Sequence, residues 1–372
     1  MKNLFVQILC ISLFFSCKSQ PSPIKLALDS NNEKILKVKE NISNHEIQIK
    51  LSIINTKKAG KKFKEYSYQI AKKNYFYPAS TVKLPIAIFA MEKLNEYPEI
   101  NLDTPFKIEN DSITTTIRKE ITAIFSISSN ESNNRLFEFL GQDYINDKLK
   151  QKGMRNAKIF HRLSTENSSD LKTKKLVFYP NDSLEIEFPS KENKKLKKLN
   201  LNRLHKGIGH IDNNGHFISF PMDFSRKNYL PISELHRLVK LVFFSEEFST
   251  KTKLKLKKDQ IDFLKHSMSV LPKDAGYNRE KYFDSYVKFF IYGNKKEINN
   301  EKIKIFNKVG NAYGYLTEGA YIQTDNISII LSATIKVNNN RIYNDDIYQV
   351  DSIGIPFLAE LGREIIKIVE SN

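Results

Sequence analysis

With 372 residues, the chain is long enough for one large domain or two ordinary ones, and 40% hydrophobic against 27% charged residues excludes both a membrane bundle and a disordered tail. Two Cys residues exclude a disulfide scaffold, and neither a C-x-x-C pair nor clustered His offers metal-ligand spacing. The net charge of +17 is carried by Lys among much Asn and Ile, and it reads as solubilising surface rather than as a nucleic-acid site.

Residues 1–16 read as a signal peptide. Lys2 is the positive start, and Leu4 to Phe15 form an apolar run shorter than the roughly 20 residues that span a bilayer. A small residue, Ser16, precedes Cys17, as in a bacterial lipobox, so Cys17 is the expected lipidated N-terminus. Residues 17–30 then form the lipidated Cys and a short polar tether. The expected location is the bacterial cell envelope, as an exported lipoprotein in the periplasm or outer membrane.

Next come a helix over 31–44 and strands over 46–55 and 64–70, joined by a Lys/Gly turn. Residues 81–95 are apolar and helical. Ile117, Ile121, Ile124 and Phe125 make a helical stripe, and a helix near 133–140 stops at Gly141. Residues 165–225 are rich in Lys, Asn and Ser and read as a loop-rich insertion. Helices are expected over 232–244 and 257–270. Strands are expected between 285 and 336, with turns at Gly293-Asn294 and Asp325-Asn326. The last helix, 356–370, carries Leu358, Leu361, Ile365 and Ile368. This order predicts a sheet built from both chain ends with a helical part between.

The sharpest chemical signal is Ser80-Thr81-Val82-Lys83 at the start of an apolar helix. Ser is a good N-cap, and Lys83 is the only charge from Val82 to Met91. A helix apolar all round is buried, and burial lowers an amine's pKa. One turn away, such an amine activates the serine hydroxyl as a nucleophile. Two other Ser-x-x-Lys pairs, Ser22/Lys25 and Ser169/Lys172, lack this setting. Further on, Ser128-Ser129-Asn130-Glu131-Ser132 separates two helical patterns, and Lys308-Val309-Gly310-Asn311 follows an alternating strand. A Gly beside a strand Lys lets a substrate backbone approach closely. His161, His205, His210, His216 and His236 are scattered and read as loop or surface residues. Lys194 to Lys198 reads as a solvated run.

In this order the three segments resemble the S-x-x-K, S-D-N and K-T-G set of class A β-lactamases and penicillin-binding proteins. The resemblance runs from about residue 31 to the end, as one catalytic domain over 31–372 that includes the insertion. It implies an α+β fold of three αβα layers: an antiparallel sheet flanked by helices, plus an inserted all-helical domain. It implies that Ser80 is the acylated nucleophile, Lys83 its base or proton carrier, and Ser129 the proton relay to the leaving nitrogen. Lys308 would hold a substrate carboxylate beside Gly310, and the N–H groups of Ser80 and Asn311 would form the oxyanion hole. The second motif is then read as Ser129-Asn130-Glu131, which puts Glu131 where an amide is expected to touch substrate. The third has Val309 in place of a hydroxyl residue. Glu166 is the candidate deacylating base, although its spacing from Arg162 is two residues longer than the usual Arg-x-Glu. The resemblance implies a monomeric serine hydrolase for β-lactams or peptidoglycan-like peptides, tied to antibiotic resistance, with a lipid anchor in the membrane. It implies no metal or organic cofactor and no nucleic acid. The alternatives are a non-hydrolysing penicillin-binding or catalytically silent envelope lipoprotein, or a basic adhesin in which the motifs are coincidence.

Overall fold

The computed structural model describes residues 21–57, 60–299 and 302–371. The expected signal peptide and Cys17 lie outside them. Two short helices, α1 (Pro23–Leu28) and α2 (Glu33–Lys39), lead into the hairpin β1 (Gln48–Lys57) and β2 (Gly60–Tyr68). A 3-10 turn, Ala79–Val82, opens α3 (Lys83–Leu94), followed by β3 (Pro105–Ile108), β4 (Thr114–Thr116), α4 (Ile117–Ser126), α5 (Asn130–Leu140) and α6 (Gln142–Gln151). The next segment holds short strands: β5 (Leu176–Asn181), β6 (Leu184–Phe188), β7 (His205–Lys206), β8 (Gly209–Ile211), β9 (Phe217–Ile218) and β10 (Met222–Asp223). Helices α7 (Ile232–Phe243) and α8 (Lys258–Ser269) precede β11 (Lys304–Ala312), β12 (Tyr315–Gln323), β13 (Ser328–Lys336), the two-residue β14 (Ile342–Tyr343) and α9 (Ile355–Glu370).

The main sheet is antiparallel in the order β11-β12-β13-β1-β2, so its strands do come from both chain ends. Alternation sorts its faces. Ile329, Leu331, Ala333 and Ile335 of β13 join Ile49 and Leu51 of β1 in a core with α1, α2 and α9. Ser332 and Ser52 face the other way, where their hydroxyls lie 3.1 and 2.8 Å from the two ring nitrogens of His236 on α7. The second core is helical, centred on α3, whose residues are all buried. These three layers and the inserted helices form the expected α+β architecture.

Three local expectations are corrected. The segment read as a polar tether is partly a packed helix, because Ile24, Ala27 and Leu28 fall on one helical face and bury in the α9 core, while Ser22 caps α1. Residues 283–298 run in turns rather than strands. There Ser285 Oγ donates to Gly293 O at 2.7 Å, and Asp284 Oδ2 takes the Ile298 N–H at 2.9 Å, so side chains replace a ladder. His161 and His236 are buried rather than superficial. Burial pushes the His236 imidazole down to about 3, and the hydroxyls around it suit a neutral ring.

Candidate active site

Ser80 lies inside the 3-10 turn rather than at a helix N-cap. The turn is held by the Thr81 hydroxyl donating to Pro78 O at 2.7 Å, and Ala79 before it is left-handed at φ 47°. Ser80 therefore sits partly exposed at the rim of a cleft of about 1430 Å³, with Asn130, Asn311, Tyr77 and Tyr313 among the lining residues. Among the described residues no hydrogen bond engages its hydroxyl.

Lys83 begins α3 with no accessible surface. Its ammonium donates to Ser128 O and, at 2.8 Å, to Asn130 Oδ1, and it lies 3.4 Å from Ser128 Oγ. Burial pushes its pKa down to about 7, with Glu131 pulling the other way. A neutral amine keeps two N–H groups for the carbonyl and the amide, and its lone pair is left free to accept a proton.

Lys308 approaches the same hydroxyl from the sheet. Its ammonium donates to Ser128 Oγ at 2.8 Å and to Val309 O at 2.9 Å. Burial, then Lys83 and Lys288, hold its pKa well below the usual lysine range, while Glu318 opposes them. A substrate carboxylate arriving here would favour the charged form.

The strand geometry explains Asn311. Tyr313 and Gly314, at φ 54° and 71°, make a two-residue turn between Ala312 and Tyr315. In such a hairpin Ala312, Gly310 and Lys308 exchange hydrogen bonds with β12, and the alternate residues Asn311 and Val309 direct theirs to the open edge. The Asn311 N–H therefore faces outward on the edge strand that meets the Ser80 turn. Gly310 makes that meeting possible, since a Cβ there would stand 2.6 Å from Pro78 O and 2.9 Å from Ser80 N.

The serine of the second segment is displaced by one position from the sequence reading. Ser128, in left-handed backbone at φ 56°, presents its hydroxyl to both lysines. Ser129 instead caps α5: its Oγ accepts from Ser132 N at 3.1 Å and donates to Glu131 Oε2 at 2.9 Å. Asn130, not Glu131, lines the cleft, and Glu131 stands exposed in the first turn of α5. A hydrogen bond from its own backbone N–H, then one from the Ser129 hydroxyl, hold the Glu131 carboxyl below its usual range against burial, with Lys83 and Arg135 helping. Reading the segment as Ser128-Ser129-Asn130 keeps a serine and an amide at its ends, and that signal was present in the sequence.

Glu166 is exposed on the rim of the cleft, and no hydrogen bond joins its carboxylate to Ser80 or Lys83 among the described residues. The loop is pinned three residues earlier. Asn134 Nδ2 donates to Leu163 O, and Leu163 N donates to Asn134 Oδ1, both at 2.8 Å. Arg162 beside it forms a buried pair with Glu138 at 2.5 Å. Sequence reasoning also missed the group behind β11. Lys288 Nζ donates to Asn307 Oδ1 at 2.7 Å, and Asn307 donates to Glu318, whose other oxygen takes the Phe290 N–H. Burial moves Lys288 down to about 8 and Glu318 up to about 7.

A lysine-flanked serine at the junction of a helical region and an antiparallel sheet is the arrangement that the sequence resemblance implies for a β-lactamase-type fold. Residues 35–193 match the family described as "Beta-lactamase enzyme family", a span that holds Ser80, Lys83 and Ser128 but ends before Lys308. None of the curated proteins matches the chain. Among solved structures, a β-lactamase from Sphaerobacter thermophilus shares the fold at a TM-score of 0.54 and 13% identity, over 94% of this chain and 98% of its own. A representative of class A β-lactamases from Bacteroides cellulosilyticus does so at 0.51 and 12%, over 95% and 100%. Over residues 35–193 the chain is similar to the β-lactamase family, and it shares the fold of these solved structures.

Proposed function

We propose that the chain is a serine hydrolase whose Ser80 is acylated by β-lactams or peptide-like amides. The observation that carries this reading is the Ser128 hydroxyl held between Lys83 and Lys308, with Ser80 three residues before Lys83 and on the rim of the cleft. Neutral Lys83 takes the Ser80 Oγ proton as Oγ bonds to the carbonyl carbon. The oxyanion is met by the N–H groups of Ser80 and Asn311. As the C–N bond breaks, Ser128 gives its proton to the nitrogen and recovers one from the Lys83 ammonium. Lys308 attracts the substrate carboxylate, and Asn130 is available to its amide. Water then releases the acyl group.

One observation favours slow release. The residue clamped by Asn134 at the cleft is Leu163, which cannot activate water, and Glu166 lies exposed, with no hydrogen bond to its carboxylate among the described residues. The second reading is therefore a penicillin-binding protein with a long-lived acyl-enzyme. The polar Lys2 start, the short apolar run and Ser16-Cys17 support export and anchoring through a lipid on Cys17.

The test is intact-protein mass after mixing with a penicillin and a cephalosporin, with free drug assayed alongside and Ser80→Ala as control. A lasting Ser80-dependent mass gain supports the penicillin-binding reading. Ser80-dependent drug loss without an adduct supports hydrolysis. Neither adduct nor loss removes β-lactams as substrates.

A further inference from the structure

Away from the cleft, a pocket of about 310 Å³ is lined by Glu46, Arg203, Lys206, Lys336 and Arg341. It shares no lining residue with the cleft. Glu46 is its only carboxylate and is fully engaged, taking Lys206 at 2.9 Å, Lys336 at 2.8 Å and the Tyr315 hydroxyl at 2.8 Å. Burial opposes its ionisation, but Lys206 and Lys336 outweigh burial and keep the carboxyl below its usual range. Each lysine has further N–H groups beyond the one given to Glu46. Arg203 and Arg341 are exposed, and neither guanidinium has an ion-pair partner among the described residues. Four cations thus surround one neutralised anion. Glu46, Arg203 and Arg341 all sit in left-handed backbone, at φ 45°, 61° and 61°, a cost that side-chain residues bear only where the surroundings impose it.

The same part of the molecule carries an apolar surface. β14, β8 and β9 form a three-stranded sheet, and the Ile208 N–H, next to pocket residue Gly207, donates to Arg341 O at 2.9 Å. Phe217, Phe220 and Ile347 on this unit expose 52, 63 and 61% of their surfaces, and Ile208 is also exposed. Asn344 Nδ2 ties the β14 loop to Ile211 O at 3.2 Å, so these side chains belong to one small unit. Scattered exposed apolar residues are ordinary, but four on one such unit beside a pocket with four cations and one carboxylate are not.

We propose that this unit docks on an anionic phospholipid surface, with a lipid phosphate in the Lys206–Arg341 pocket and Phe217, Phe220 and Ile347 in the interfacial layer. A forked guanidinium and paired ammonium groups suit a tetrahedral phosphate. A soluble phosphate would satisfy the pocket but leave the apolar side chains in water, whereas a bilayer interface satisfies both. The arrangement does not depend on the catalytic reading.

The experiment is vesicle co-sedimentation of the chain without its first twenty residues, after which every described element lies. Binding to vesicles of phosphatidylcholine mixed with phosphatidylglycerol, and not to phosphatidylcholine alone, is the expected result. Arg203→Gln with Arg341→Gln should weaken binding about thirty-fold, from roughly five-fold per surface cation. Phe217→Ser with Phe220→Ser should weaken it by about a hundredfold. Unchanged thermal unfolding midpoints confirm that these exposed variants fold. No vesicle binding, equal binding to both vesicle types, or indifference to the arginine pair overturns the proposal. Retention of binding by the phenylalanine variant, with full competition by inorganic phosphate, also overturns it and leaves a free-phosphate site in its place.

Discussion

The backbone of Gly310 lies against that of Ser80 so closely that a single methyl on Gly310 would stand 2.9 Å from the Ser80 nitrogen. The nucleophile's turn and the strand that offers the Asn311 N–H are thus spaced by the absence of a side chain. Gly310→Ala must push them apart. The expected outcome is acylation slowed about a hundredfold, the scale of a misplaced reacting group. Stopped-flow acylation beside a thermal melt checks it, and a variant that acylates at the parent rate would refute the spacing argument.

Ser128 and Ser129 are neighbours with separable duties. Removing the Ser128 hydroxyl takes away the proton path between the lysines and the leaving nitrogen, so Ser128→Ala should lower the acylation rate by about 10² to 10⁴. Ser129→Ala removes a helix cap and should cost about 1 kcal/mol of stability with little change in acylation. Urea unfolding and acylation rates, measured on both variants, separate these effects. The opposite pattern would restore Ser129 as the relay.

The acylation rate should follow the ionisation of Lys83. Its amine accepts the Ser80 proton only when neutral, and burial sets its pKa at about 7. Below that value the neutral fraction falls tenfold per pH unit, so the rate should climb with pH and level off above about 8. Lys83→Arg, which stays charged, should remove the titration with the activity. A rate constant that stays flat from about pH 5 to about pH 9 would exclude Lys83 as the base.

The fate of the acyl-enzyme turns on the Asn134 clamp. Leu163 is fixed on both backbone sides and lines the cleft, whereas Glu166 is exposed on its rim. Glu166→Ala should leave the adduct lifetime unchanged, and Leu163→Glu should shorten it by about a hundredfold if the new carboxylate activates water. Time-resolved intact mass reads both. A longer lifetime in Glu166→Ala would instead assign that residue the base role.

The architecture was legible because the strongest patterns in the sequence are those the core uses. The alternation of Ile327 to Ile335, the apolar run after Lys83 and the stripe of α9 each bury as read. The Ser80–Lys83 pair was legible for the same reason, since a lone lysine in an apolar helix has few explanations. The choice between Ser128 and Ser129 was not, because it depends on a left-handed backbone at Ser128 that turns one hydroxyl inward and leaves the next as a cap. Lys288 and Glu318 were invisible because their meaning arises through Asn307, which joins them across a strand and a run of turns. Those turns read as strands because periodicity does not reveal side chains such as Asp284 and Ser285 taking over backbone hydrogen bonds.

The sheet that carries β11 is closed by pairing Gln48 with Thr334, across most of the chain. Ser80 is therefore made long before the strand that completes its surroundings, and contacts so distant in sequence form late in folding. A growing or translocating chain would hold the serine and Lys83 but neither Lys308 nor the Asn311 N–H. The reactivity proposed for Ser80 is thereby deferred until the last strands are home, with the position of the C-terminal hairpin as a timer on it.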